Sequence, residues 1–354
     1  MSKPLVSVII PVYNQANFIT QTIGCVLEQT YDNLEIIVVD DGSTDQTPEI
    51  LSCYKDNPRI KIIHQQNSGV ETARNTGIAA ITGDYVQFLD GDDWLHPQKI
   101  ELQVEILENE PQYGLSYSEF YAAKSEDEIE EWDSCKRRCL GPAEGDIFDS
   151  LWLQGVFPIH TALVRREWIQ KAGYFNKDLL AANEDWEYWL RIVGLGCQVH
   201  YLDFRGAYYR MHDSNNSRKE ERMRTSLIKA RQLIAAQFPD KVGKSTDFAI
   251  RRLLKMADDV RAWANHLEED NKTLQALLHS YAEGNKSVAD QPTTPADYIQ
   301  FLESEVSRKN EHIQKLEEQF QRLDSEHSSS LEFQLKSKAV HLRTRIDKLL
   351  KRKA

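Results

Sequence analysis

The chain has 354 residues, with 43 Lys and Arg against 55 Asp and Glu and a net charge of −12. That balance excludes a general nucleic-acid binder, whose affinity comes from cations set against phosphates, while the length allows one large core plus an appendage, or two domains. No window reaches the roughly 18 apolar residues of a membrane span. The start, MSKPLVSVIIPVYN, predicts no secretory leader, because Pro11 and Asn14 cut its apolar run short. The five cysteines (Cys25, Cys53, Cys135, Cys139, Cys197) are odd in number and scattered, which predicts reduced thiols in a cytoplasmic protein.

In chain order, LVSVIIPVY (5–13) reads as a buried strand. Residues 17–29 follow as a helix with Ile19, Ile23, Val26 and Leu27 on one face. LEIIVVDD (34–41) is a second strand, after which Ser43 suits an N-cap and a helix runs to about Tyr54. IKIIHQ (60–65) is a third strand, VETARNTGIAAIT (70–82) a third helix and DYVQFLD (84–90) a fourth strand. Pro97 suits the first turn of a fourth helix, PQKIELQVEILENE. Continuous apolar strands alternating with helices predict an α/β fold with a mostly parallel, Rossmann-like sheet covered on both faces. In such sheets ligands bind beyond the carboxyl ends of the strands. Those ends carry Pro11-Val12-Tyr13-Asn14, Asp40-Asp41 and Asp90-Gly91-Asp92-Asp93.

Residues 124–145 break the pattern and read as a charged insertion or loop, where Cys135 and Cys139 lack the second ligand pair of a zinc site. Apolar segments resume with FDSLWLQGVFPIHTALVRREWI, then a helix from EDWEYWLRIVGLG and a strand-like VHYLDFRGAYYRMH. The composition changes near residue 217. The expected organisation is an α/β domain over 1–217, a helical extension over 218–284, a linker over 285–296 and a coiled coil with a basic amphipathic tail over 297–354. Ile299, Leu302, Val306, Ile313, Leu316, Phe320 and Leu323 fall on heptad positions, with Lys309 the polar exception. Such a stripe asks for a partner helix, hence a homo-oligomer, or else packs on the protein's own body. The tail from Gln334 carries eight Lys or Arg against one acid, Asp347. It suits either a solvated helix end or peripheral contact with the anionic inner face of the cell membrane.

Three carboxylates in FLDGDDW repel one another, so a compensating cation is expected. Mg²⁺ and Mn²⁺ take one or two protein carboxylates and complete their shell with phosphates and water. In NSGVETARNTG (67–77) a helix N-terminus and Arg74 could both address an anion.

Taken in order, PVYN, VVDDGSTD, NSGVETARNTG, FLDGDDW and NEDWEYW resemble the inverting glycosyltransferase family 2, with its GT-A nucleotide-diphospho-sugar transferase fold. The likeness is dense over about 5–110, thinner to about 217, and does not reach the C-terminal third. The resemblance implies that residues 1–120 form a nucleotide-sugar half and 121–217 an acceptor half. It implies that Pro11, Tyr13 and Asn14 line the nucleotide pocket together with Asp40 or Asp41, and that Arg74 lies near the nucleotide. Asp90 would face the ribose and Asp92 the divalent metal, Mn²⁺ or Mg²⁺, with Asp93 an orienting or helix-capping acid. Asp185 matches the general base, with a simple N-cap as the plainer reading. His212 matches a histidine that meets the metal or the diphosphate. Trp186, Trp152 and Phe157 could stack on sugar rings or equally fill a core; His160 falls in a segment near the acceptor.

The implied activity moves a sugar from a nucleotide-diphosphate donor, UDP first among them, to a hydroxyl of a glycan or lipid-linked glycan. Two other classes compete. A nucleotidyltransferase on a related sheet would need a Gly-rich, basic triphosphate grip after strand one, which is not there. A non-catalytic coiled-coil scaffold would leave the ordered acids without a task.

Overall fold

The computed structural model describes residues 3–123, 143–154, 157–179, 183–211, 220–247 and 251. The expected linker, coiled coil and basic tail, with His212, Cys135 and Cys139, lie outside the described residues. Contacts group Met1–Gly243 into one compact unit and Lys244–Ala354 into another. In the second unit Arg251 pairs with Asp247 at 2.8 Å, one helical turn apart.

The first unit alternates as its sequence pattern requires. It runs β1 (Val6–Val12), α1 (Ile19–Leu27), β2 (Leu34–Asp40), α2 (Thr47–Ser52), β3 (Ile60–His64), α3 (Val70–Ala80), β4 (Tyr85–Phe88), β5 (Trp94–Leu95) and α4 (Lys99–Asn109). It continues with β6 (Tyr113–Ala123), α5 (Phe148–Gln154), a 3-10 turn (Ile159–Thr161), β7 (Ala162–Arg165), α6 (Arg166–Ala172), α7 (Glu184–Gly194), β8 (Gln198–Arg210) and α8 (Glu220–Gln237). The eight strands make one sheet in the order β3-β2-β1-β4-β7-β6-β8-β5. β1 is parallel to β2 and β4, and β2 to β3. β7 runs antiparallel between β4 and β6, β6 is parallel to β8, and β5 is antiparallel to β8.

The period of two in β1 explains why both faces are covered. Val6, Val8, Ile10 and Val12 pack with Ile19, Ile23 and Val26 of α1 and Ile100, Val104 and Leu107 of α4. Ile9 points to the opposite face, where α7 supplies Tyr188, Trp189, Leu190 and Ile192. On that face α3 lies so close to β1 that a Cβ on Gly77 would stand 2.4 Å from Ile9 Cγ2. α8 extends this core. Asn183 Nδ2 donates to the Met223 carbonyl at 2.9 Å, and the Arg231 guanidinium lies 5.0 Å from the Trp152 ring and 5.6 Å from the Trp186 ring.

Two local readings change. Ser43 is not an N-cap: α2 begins at Thr47 behind Gln46, with Pro in its first turn. Pro97 precedes α4, whose N-cap is Gln98, and its carbonyl instead accepts the Thr30 N–H at 2.9 Å.

Candidate active site

The loops after β1 and β2 are stapled into one wall. Asn14 adopts a left-handed φ of 53°, a conformation its short amide side chain tolerates. Its N–H donates to Ser43 Oγ at 2.9 Å, and its Oδ1 accepts from the Thr44 N–H at 2.8 Å. Ala16 N–H and Gln15 N–H donate in turn to Asp45 Oδ2 and Thr47 Oγ1. The polar run after VVDD therefore serves the neighbouring loop, which is why the N-cap reading of Ser43 fails. Pro11 lies in β1, and Tyr13 stands exposed beyond it.

Asp40 and Asp41 are both buried and differently used. Asp40 accepts from the Ser43 N–H at 3.0 Å and meets His64 Nδ1 at 2.9 Å. Asp41 accepts from Gln65 Nε2 at 2.7 Å and from the N–H groups of Ser68 and Gly69 at 2.9 Å each. It thereby shapes the turn into α3. Gly42 is required there: its φ is +74°, and a Cβ would stand 2.8 Å from the Asn67 nitrogen.

Arg74 reaches out of α3 to two carboxylates. Its guanidinium donates to Asp90 Oδ1 and to Glu184 Oε1, each at 2.7 Å, and its side chain is only 2% exposed. The two acids raise its pKa against the cost of burial. Asn75 makes the same crossing: its amide pairs both ways with the backbone of Phe175, at 2.7 and 3.0 Å. The two residues together fix α3 to the segment that leads into α7.

The Asp90–Asp93 turn is held on every side. Gly91 packs so tightly that a Cβ would lie 3.2 Å from the Pro11 carbonyl. Thr22 Oγ1 lies 3.0 Å from the Gly91 carbonyl and 2.9 Å from that of Asp93. Arg210 Nε donates to the Asp92 carbonyl at 2.8 Å. The Asp92 carboxylate is left half-buried, with Gln15 Nε2 at 3.3 Å. Asp93 is fully buried, and burial first, against His160, pushes its carboxyl up to about 6.

Asp185 lies just inside α7, whose N-cap is Asn183 with a left-handed φ of 59°. Its Oδ1 accepts the neighbouring Trp186 N–H at 2.7 Å. Burial and the adjacent Glu184 carboxylate push its carboxyl up to about 7, while Arg74 opposes them. A carboxyl poised there can take a proton near neutral pH. Trp186, Trp152 and Phe157 are all buried, and Trp186 and Trp152 stack on each other at 5.9 Å. They fill the core, and the sugar-stacking reading is dropped for them.

Sequence reasoning passed over Glu184, Gln15, Thr22, Asn75 and Arg210, which hold the site from several elements. Their signal is weak, because each pairs with a residue far along the chain.

Comparison with known proteins bears on the part of this assembly that lies before residue 173. Residues 7–173 match the family described as Glycosyl transferase family 2. Those residues form a family 2 glycosyltransferase domain. An uncharacterized glycosyltransferase of Rickettsia felis is 48% identical over 103 residues, 29% of this chain and 17% of that relative. Glycosyltransferase GlyA of Streptococcus pneumoniae is 43% identical over 97 residues, 27% of this chain and 14% of the relative. The matches thus span less than a fifth of those relatives' length. A crystal structure of S. aureus TarS residues 1–349 with UDP superposes with a TM-score of 0.52 at 20% identity, over 66% of this chain and 64% of that one. That likeness shows the GT-A-like fold, with its mixed, mostly parallel sheet, as the family 2 motifs imply.

Proposed function

We propose that the protein is an inverting glycosyltransferase that moves a sugar from a nucleotide-diphosphate donor to a hydroxyl of a glycan or lipid-linked glycan. One observation carries the reading. A single buried guanidinium, Arg74, holds Asp90 of the strand-end acidic turn and Glu184 beside Asp185. The turn suited to a nucleotide diphosphate and a carboxyl suited to deprotonating an acceptor are thereby tied to each other.

The stapled loops bearing Pro11, Tyr13 and Asn14, with Asp40 and Asp41, form the walls for the nucleotide, and Asp90 faces its ribose. UDP is the first donor to try, since two TarS structures of similar fold are complexes with UDP and with UDP-GlcNAc. Among the described residues no group of three or more His, Cys, Asp or Glu could enclose a metal ion. The half-buried Asp92 carboxylate still fits a hard Mn²⁺ or Mg²⁺ ion whose shell is completed by phosphates and water, with His212 the second protein ligand proposed. Such an ion, when bound, supplies positive charge against the diphosphate leaving group. Asp185 takes the proton from the acceptor hydroxyl, which attacks from the face opposite the nucleotide and inverts the anomeric centre.

The heptad stripe from Ile299 to Leu323 is proposed to pair subunits, and the basic tail to hold them at an anionic membrane surface. Removing residues 297–354 should give monomers that no longer sediment with anionic vesicles. Dimers that still sediment would refute both ideas. For the chemistry, a panel of UDP-, GDP- and dTDP-sugars with and without Mn²⁺ should release a nucleoside diphosphate. Release of pyrophosphate instead would favour nucleotidyl transfer.

A further inference from the structure

Asp93 and His160 form a buried pair that the proposed chemistry does not use. His160 Nδ1 lies 2.9 Å from Asp93 Oδ2, and both side chains are 1% exposed. Asp93 Oδ1 accepts the backbone N–H of Arg210 at 2.8 Å, and the Arg210 side chain donates to the Asp92 carbonyl at the same distance. Asp93 therefore joins the acidic turn, the end of β8 and the 3-10 turn before β7.

His160 is itself gripped from below. Gln87 Nε2 donates to its carbonyl at 2.9 Å, and Gln103 Nε2 donates to the carbonyl of Thr161 at 3.0 Å. Both amide oxygens accept from the buried Lys99 ammonium, at 2.5 and 2.6 Å. The imidazole lies nearly perpendicular to the Phe120 ring at 6.2 Å and nearly parallel to the Tyr209 ring at 6.3 Å. Neither its Nε2 nor Asp93 Oδ2 makes a hydrogen bond among the described residues, so the 2.9 Å approach of Nδ1 to Oδ2 is a close polar contact. A buried carboxylate–imidazole pair resting on a buried lysine and two glutamines is a poor way to stabilise a core, since well-packed apolar groups do as well or better. A buried polar network does fix direction. This one ends a single residue from Asp92, the carboxylate proposed for the metal.

We propose that His160 is a positioning residue, which through Asp93 and Arg210 holds the Asp90–Asp93 turn so that Asp92 faces the nucleotide diphosphate and its metal. The inference rests on the proposed donor site. It predicts that losing the Nδ1 contact loosens ligand binding while the fold survives.

The test compares wild type, His160→Phe and His160→Asn in the full chain, with UDP, GDP and dTDP titrated calorimetrically in Mn²⁺ and thermal unfolding measured alongside. Phe keeps a ring without the donor; the Asn amide restores a donor where Nδ1 stood. His160→Phe should stay folded and bind nucleotide about tenfold more weakly, the scale seen for partners that orient a metal ligand. His160→Asn should regain most of that loss. Unchanged affinity in His160→Phe, equal loss in both variants, or a His160→Phe protein that does not fold would each overturn the inference. A wild type that binds none of the three nucleotides overturns the donor-site reading as well, whereas normal wild-type binding beside an unaffected variant overturns the inference alone.

Discussion

Replacing Glu184 by Gln separates the electrostatics of the proposed base from everything around it. The Asp185 carboxyl is pushed from 3.8 up to about 7, by burial first and by the Glu184 carboxylate second. With a pKa of about 7, roughly one-tenth of the enzyme holds an ionised base at pH 6 and roughly nine-tenths at pH 8. kcat/KM for nucleotide release should therefore climb about tenfold across that interval, because a general base must be unprotonated to act. The amide of Glu184→Gln still offers an oxygen to Arg74 but no longer repels the Asp185 charge, so the same rise should move to lower pH. Asp93, up at about 6, has burial, His160, Asp92 and Asp90 as its causes rather than Glu184, so this displacement reports Asp185. The assay is initial-rate nucleotide release at saturating metal from pH 5.5 to 8. A flat wild-type profile, as an unshifted carboxyl would give, or a profile that Glu184→Gln leaves in place, would refute the reasoning.

Arg74→Lys keeps a charge but loses the fork that meets two carboxylates, so turnover should fall at least about tenfold with a stability loss of about 3 kcal/mol, read by kinetics and denaturant melts. Gly77→Ala should drive a methyl into Ile9 and cost about 1–3 kcal/mol, seen as a thermal midpoint several degrees lower. Asp92→Asn should weaken Mn²⁺-dependent nucleotide binding by about tenfold or more while leaving the melting curve near that of wild type, by calorimetry and circular dichroism.

The first half of the fold was legible because its signals are local. Val6 to Val12 alternate between two covered faces, and the helices between strands repeat at helical spacing, so element type and sheet direction follow from nearest neighbours. The acids at the strand ends were legible for the same reason. The second half was harder. β6 and β7 form a buried antiparallel pair, and the two-residue β5 exists only because β8 returns beside it. Ser43 was misread because a hydroxyl near a helix start looks like a cap until Asn14 claims it from another loop. The links Arg74 to Glu184 and Asp93 to His160 join residues 110 and 67 positions apart, and no pattern along the chain announces them.

The central claim is that Asp185 takes the acceptor's proton, and purified Asp185→Asn tests it most directly. Its rate of sugar transfer should be compared with wild type on the same donor, metal and acceptor. The account predicts a folded protein that binds the nucleotide normally and transfers sugar about a thousandfold more slowly. Near-normal transfer by Asp185→Asn would contradict it.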